Sequence, residues 1–487
     1  MQYEIEKLLW FETKNCFING EWIKPNSESY LKVYDPSYGS ELFEIARSNT
    51  NDVNSAVLAA RNSFNDNWSK TSGVDRGRLL NKVKILLQEK QEEFAIMESI
   101  DVGKPLSQSR ADVNALIRYL EFYAGAADKI HGEIIPYLNG YTVYTLREPF
   151  GVTGHIIPWN YPMQIIGRSV IGSLAVGNSI VLKPSEEACL TALAFADICA
   201  QAGLPEGVLN VVPGLGNEAG KALSLHNDID HISFTGSFMI GQEIQKNASK
   251  NVIPLTLELG GKSPQIVFDD ANVDDAIPYL INAGIQNAGQ TCSASSRILI
   301  QKNLYSKIED LMIKAYNKLT VGPAIEDYNV GPLISKKQLK MVQGFIKKGN
   351  NLNKIAETKL DLDKCSYGNF IAPTLFGNVS YDHELAQEEL FGPIQTLTSF
   401  ESEEEAVHIA NSTRYGLVAS VWTNDGSRQM RLPKKIKAGQ IFVNNYGAGG
   451  GVELPFGGVG HSGFGREKGL EALKGFSTIK TVAVKHG

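Results

Sequence analysis

A chain of 487 residues is long enough for about two to four domains at about 150 residues each. Its 43% hydrophobic and 21% charged content excludes a disordered or fibrous chain and leaves ample apolar material for a large core. A formal net charge of -6, from 47 basic and 53 acidic side chains, argues against nucleic acid as the partner and in favour of a small molecule.

The opening residues, MQYEIEKLLW, lack a basic segment followed by a long apolar stretch, so no secretory signal is expected. No run of about 18 apolar residues follows, and the most apolar region, 151–183, is interrupted by Pro158, Asn160, Pro162, Arg168 and Asn178. No membrane span is expected. The five cysteines (Cys16, Cys189, Cys199, Cys292 and Cys365) are scattered without a Cys-x-x-Cys pair, which predicts neither a disulfide framework nor a metal site. A reducing compartment, the cytoplasm, is the expected location.

From about 51 to 130 the apolar spacing is helical, as in Val53, Ala56, Val57 and Ala60. Between 132 and 148 the chain turns β-branched and aromatic around Asn139-Gly140, a hairpin signal. A lone hairpin is marginal in water, so it is expected to pack on another domain or subunit. From 151 to 258, the apolar runs GVTGHII, SIVLK, GVLNVV, HISFT and IPLTLE alternate with helical patterns near 163–176, 187–202, 216–226 and 238–248. That alternation predicts a parallel sheet covered by helices, with ligands beyond the carboxyl ends of its strands. A second α/β region runs from about 260 to 460, with strands at SPQIVF, SSRILI, VASVWT and QIFVNN, a helix over 304–319, and Gly-rich loops near its end. The last segment, FSTIKTVAVK, alternates like a strand without a nearby partner in sequence, which suggests pairing with a neighbouring subunit.

The residues just after the strand runs, and a cysteine in the second α/β region, are the candidates for chemistry. Cys292 lies in NAGQTCSASSR, a small polar setting that suits a reactive thiol, although an inert core cysteine is the commoner case. Glu258 ends the run PLTLE before two glycines and reads either as a general base or as a salt-bridged strand end. Asn160, between prolines in PWNYP, is either a rigid oxyanion donor or a turn residue. Lys183 and Glu186, in LKPSE, are either a surface pair or the holders of a cofactor ribose. In the latter role the carboxylate would repel a 2′-phosphate. Gly236 and Ser237 stand where a strand leads into a helix, a position suited to a pyrophosphate.

Together PWNYP, LKPSE, FTGS, LELGGKSP, GQTC, EELFGP and PFGG resemble, in order and approximate spacing, the aldehyde dehydrogenase superfamily from about residue 17 to the C-terminus. The resemblance implies an α/β fold with a Rossmann-type NAD-binding domain (1–131 and 150–259), a second α/β catalytic domain (260–470) and a small β oligomerisation element (132–149 and 471–487). It implies that Cys292 attacks the aldehyde, that Asn160 and the Cys292 backbone N–H hold the oxyanion, and that Glu258 activates the water that releases a carboxylic acid. It also implies that Lys183, Glu186, Gly236, Ser237, Glu389, Phe391 and Trp159 bind NAD, with NADP disfavoured. Glu467 matches a second acidic residue that some members use in proton relay. A homodimer or homotetramer follows from the same resemblance, with a small aldehyde as the partner and neither nucleic acid nor membrane.

Arg168, eight residues after Asn160, resembles the carboxylate-binding arginine of succinate-semialdehyde dehydrogenases, so a carboxylated semialdehyde is the favoured substrate, with a structural ion pair as the plainer reading. The alternative is a broad aliphatic or aromatic aldehyde dehydrogenase. Tyr161 could face a quaternary ammonium, yet Arg168 and Gln286 are not aromatic, which disfavours a betaine-aldehyde type. Glu258 argues against a CoA-acylating type. Retention of Cys292, Glu258 and Asn160 argues against a silent NAD-binding protein. The run 447–451 suggests a wide entrance.

Overall fold

The protein is described here by a computed structural model covering residue 5, residues 8–447 and residues 451–487. The centre of the 447–451 run therefore lies outside the described residues. Four helices, Thr50–Asp66, Gly73–Glu89, Gln91–Val102 and Leu106–Ala126, fill the region read as helical. The first starts on a capping box, in which the Asn49 side chain accepts from the Asp52 backbone and the Asp52 carboxylate accepts from that of Asn49.

The predicted strands Val152–Ile156, Ser179–Lys183, Leu209–Val211, His231–Thr235 and Leu255–Glu258 form the parallel centre of an eight-stranded sheet. Their spatial order is 255–258, 231–235, 152–156, 179–183, 209–211. The chain thus builds outward from Val152–Ile156, first to one side and then to the other. The switch in order lies between this strand and His231–Thr235, and the crevice for a ligand opens beyond their carboxyl ends. All five strands are buried except at Leu255, as expected for near-continuous apolar runs covered on both faces.

A second sheet of seven strands, parallel except for Asn353–Glu357, has the order 353–357, 374–377, 394–400, 297–301, 264–267, 418–422, 440–443. Its first three strands had no distinct signal in the sequence. The chain returns from it to the first sheet, where Gly463–Phe464 pairs antiparallel with Leu257 and Glu258.

The terminal strand, Ser477–Lys485, pairs antiparallel with Tyr141–Pro149 of its own chain, from Ser477 opposite Pro149 to Lys485 opposite Tyr141. One edge of the strand thus has its partner within the chain, in a pairing across more than 300 residues that local sequence patterns do not show. Ile134 and Ile135 complete a three-stranded sheet, which leaves the far edge of Ser477–Lys485 open. Among the described residues no helix is long and apolar enough to cross a membrane.

Candidate active site

The carboxyl ends of the first sheet gather most of the residues singled out above. Asn160 lies four residues past Val152–Ile156, Lys183 ends its strand, Gly236 and Ser237 follow His231–Thr235, and Glu258 ends Leu255–Glu258. The second half of the chain brings Cys292 to this edge on a strained loop. Asn287, Ala288 and Gly289 are consecutive left-handed residues, with φ of 49°, 53° and 71°. Such conformations persist for non-glycine residues only where the surroundings enforce them. The restraints are visible: Gln108 Oε1 accepts from the Asn287 backbone at 2.9 Å, and Asn287 Nδ2 donates to the Asn160 carbonyl at 3.0 Å.

Asn160 is buried, and its Nδ2 donates to the carbonyl of Gln290 at 2.9 Å. An amide carries two N–H donors; one anchors Asn160 beside the Cys292 loop, and a second is available to an acceptor. Tyr161 reaches the same loop through its hydroxyl, 3.0 Å from Thr291 Oγ1.

Cys292 is half-buried against a cluster of Leu417, Val418 and Phe456, on which Phe442 and Tyr446 also pack. Burial pushes its thiol up to about 11. Arg168 counteracts this, and the carboxylates of Glu389 and Glu258 reinforce it. Glu258 is 2% exposed and neither carboxylate oxygen has a hydrogen-bond partner. Burial holds its pKa well above the ordinary carboxylate value, with Glu467 adding to the rise and Arg168 opposing it. The carboxylate fits because residue 457 is glycine: a Cβ there, at φ 153°, would stand 2.7 Å from Glu258 Oε1.

Arg168 lies in a π-turn, Ile166–Ile171, a local widening often found at functional sites. Its Nε is 2.6 Å from Glu467 Oε2 with both side chains buried, and its guanidinium lies 4.7 Å from the Phe456 ring centre. Ser233 Oγ donates to Glu467 Oε1 at 2.8 Å. The charge read as a clamp for a substrate carboxylate is thus taken by a carboxylate of the protein, and the structural ion pair is what the structure contains. The next residue, Lys468, has a left-handed backbone (φ 63°) and a buried side chain near Phe456 and Tyr119. Burial, with Arg168 beside it, lowers its pKa to about 7. Phe456, Lys468, Asn287 and Thr291 escaped the sequence reading, because their roles arise from long-range packing.

The residues read as a cofactor site stand at or near the same strand ends. Lys183 Nζ is buried and 2.9 Å from Glu186 Oε2. Phe391 adopts φ 48° and meets Trp159 edge to face at 5.4 Å. Glu389 folds onto the glycine pair, its Oε1 accepting from the Gly261 backbone at 3.1 Å, and burial raises its pKa to about 7. Ser237 Oγ accepts from the Ile240 backbone at 3.5 Å and caps the helix Phe238–Ala248.

Comparison with known proteins gives the family. The family model described as "Aldehyde dehydrogenase family" matches residues 22–482. The chain is 38% identical over 483 residues to aldehyde dehydrogenase [NAD(P)+] 2 of Saccharomyces cerevisiae, covering 96% of this chain and 94% of that one. It is 38% identical over 478 residues to human retinal dehydrogenase 2, covering 96% and 91%. The solved structure of betaine aldehyde dehydrogenase from Staphylococcus aureus in complex with NAD+ superposes with a TM-score of 0.95 at 33% identity, covering 99% of this chain and 97% of that one. The chain belongs to the aldehyde dehydrogenase family and is an aldehyde dehydrogenase enzyme.

Proposed function

We propose that the protein oxidises an uncharged aldehyde to its carboxylic acid with NAD. Cys292 Sγ adds to the aldehyde carbon, and the oxyanion of the resulting thiohemiacetal accepts from the free N–H of Asn160 and from the Cys292 backbone. A bound NAD would supply the hydride acceptor for that carbon, and Cys292 would then carry the thioacyl group. Glu258 takes a proton from the water that releases the acid. The observation that carries this reading is the Glu258 carboxylate: buried beside the thiol, with both oxygens unpartnered, it is a base held ready for a proton.

The fit to NAD is supported by a buried lysine–carboxylate pair at a strand end, Lys183 and Glu186. Glu186 disfavours a 2′-phosphate by like-charge repulsion, hence NAD over NADP. Gly236, Ser237, Trp159, Glu389 and Phe391 complete the proposed cofactor site. On this reading 1–131 and 150–259 form the NAD-binding domain, 260–470 the catalytic domain, and 132–149 with 471–487 the oligomerisation element. The exposed edge of Ser477–Lys485 supports a homodimer or homotetramer. Five free cysteines suit a reducing compartment, the cytoplasm.

The uncharged substrate is supported by two features: the Arg168–Glu467 pair, in which the arginine charge is already matched by a carboxylate of the protein, and the apolar cluster Leu417, Val418 and Phe456 against which Cys292 packs. The test is pre-steady-state NADH formation. Glu258→Gln is expected to give one burst of NADH per active cysteine and then stop, and Cys292→Ala to give none. Full turnover by either variant overturns the mechanism. Acid formation unchanged by added CoA completes the assignment.

A further inference from the structure

A second cluster of buried charge lies behind the oxyanion side of the crevice. Lys104, in the turn between Gln91–Val102 and Leu106–Ala126, is completely buried. Its Nζ is 2.9 Å from Glu98 Oε1 and also bonds Asp112 Oδ2. Both carboxylates are secured further: Thr191 Oγ1 donates to Glu98 at 3.3 Å and Gln164 Nε2 to Asp112 at 3.1 Å. An ammonium group has three donors. With two directed at carboxylates, Nζ also lies 3.8 Å from the centre of the Tyr161 ring.

Apolar residues of similar volume would commonly serve stability at such a site as well as a buried ionic cluster does. What the cluster supplies here is a fixed cation on the face of one ring. That ring's hydroxyl is 3.0 Å from Thr291 Oγ1, and Tyr161 and Thr291 directly adjoin Asn160 and Cys292. The Tyr161–Thr291 bond therefore ties the oxyanion donor to the nucleophile from the outside, on a loop whose left-handed residues 287–289 need restraint.

We propose that Lys104 is a positioning residue: it fixes the Tyr161 ring, the Tyr161 hydroxyl fixes Thr291, and the Cys292 thiol is thereby set against the Asn160 amide. The inference rests on the reading of Cys292 as nucleophile and Asn160 as oxyanion donor.

The test uses the full-length enzyme and steady-state kinetics with NAD and a neutral aldehyde such as hexanal. Tyr161→Phe and Thr291→Val each remove one end of the same hydrogen bond. Each is expected to lower kcat about fivefold, the fold-change for one bond of ordinary strength, with the KM for NAD unmoved. The double variant is expected to be no worse than either single one, because one interaction is lost only once. Joint neutralisation by Glu98→Gln, Lys104→Met and Asp112→Asn leaves no unpaired charge. It is expected to lower kcat by a similar factor in the wild-type background and to have no further effect when Tyr161 is already Phe. Should that variant not fold, Lys104→Arg makes the same comparison, since the larger guanidinium does not fit the closed site that the ammonium group fills between Glu98, Asp112 and the Tyr161 ring. Multiplying losses in the double variant, equal losses from the Lys104 change in both backgrounds, or a rise in the KM for NAD matching the fall in kcat would each overturn the proposal. Cys292→Ala distinguishes the two failures: if it retains turnover, the reading of the nucleophile fails and the positioning role fails with it. If it is inactive while Tyr161→Phe and Thr291→Val are unchanged, only the positioning role fails.

Discussion

Arg168 and Glu467 form a buried ion pair, with Nε 2.6 Å from Oε2, at the junction of a π-turn and the returning C-terminal segment. Removing one partner strands the other charge without solvent, a loss of about 3–5 kcal/mol. Arg168→Met is therefore expected to lower thermal stability sharply and to depress activity toward every aldehyde alike. A panel of succinate semialdehyde, hexanal, benzaldehyde and betaine aldehyde, assayed on both forms, checks this. Selective loss of the succinate semialdehyde rate would return Arg168 to the role of substrate clamp.

Gly457 connects a backbone requirement to catalysis. A Cβ on Gly457, at φ 153°, would stand 2.6 Å from the Gly465 carbonyl and 2.7 Å from Glu258 Oε1, so Gly457→Ala is expected to displace the carboxylate together with the Gly465 backbone. A displacement of about 1 Å at a reacting group costs on the order of 10²-fold in rate. The steady-state rate is expected to fall by that order while the first burst of NADH survives, because the proposed role of Glu258 lies in release of the acid. Stopped-flow absorbance distinguishes the two phases. A lost burst would place the effect on Cys292 instead.

Most of the first sheet was legible in the sequence because its strands are short apolar runs punctuated by helices, and the residues at their ends fell into recognisable motifs. The strands Asn353–Glu357, Thr374–Gly377 and Ile394–Phe400 were not: the first is largely exposed and lacks an apolar run. Arg168 shows a different limit. Its distance from Asn160 was plain, but the carboxylate that neutralises it comes from a residue about 300 positions away. Tyr161 was noticed for its aromatic ring, whereas what distinguishes it in the fold is the lysine behind it and the threonine beyond its hydroxyl.

His155 and His231 provide a stability measurement. Both are buried in neighbouring strands and flank the Phe476 ring at 5.6 and 5.4 Å. Burial lowers the pKa of each to about 3 from an ordinary value of 6.5. Between those values the unfolded chain binds protons that the folded one refuses, so stability is fully present above pH 6.5 and is lost as pH falls toward 3. The slope is about 1.4 kcal/mol per pH unit for each histidine. Replacing both with Gln is expected to flatten the fall in Tm between pH 6.5 and 5 relative to wild type. Equal slopes would mean that the histidines accept protons in the folded state.

The pair Lys183–Glu186 sets an expectation for cofactor choice. Glu186 is held 2.9 Å from a buried ammonium and its other oxygen lies 3.5 Å from the Gly216 backbone nitrogen, so on the function proposed above it would stand fixed opposite a 2′-phosphate. At about 100 times its Kd, a ligand that binds only the folded state stabilises it by about 2.7 kcal/mol. NAD is therefore expected to raise Tm, and NADP at equal concentration to raise it less. Glu186→Gln removes the negative charge while retaining an oxygen acceptor. It is expected to improve kcat/KM for NADP relative to NAD by about tenfold, equivalent to about 1.4 kcal/mol, and to narrow the gap in Tm between the two cofactors. If the ratio does not move, discrimination lies elsewhere in the crevice and Glu186 serves only to hold Lys183.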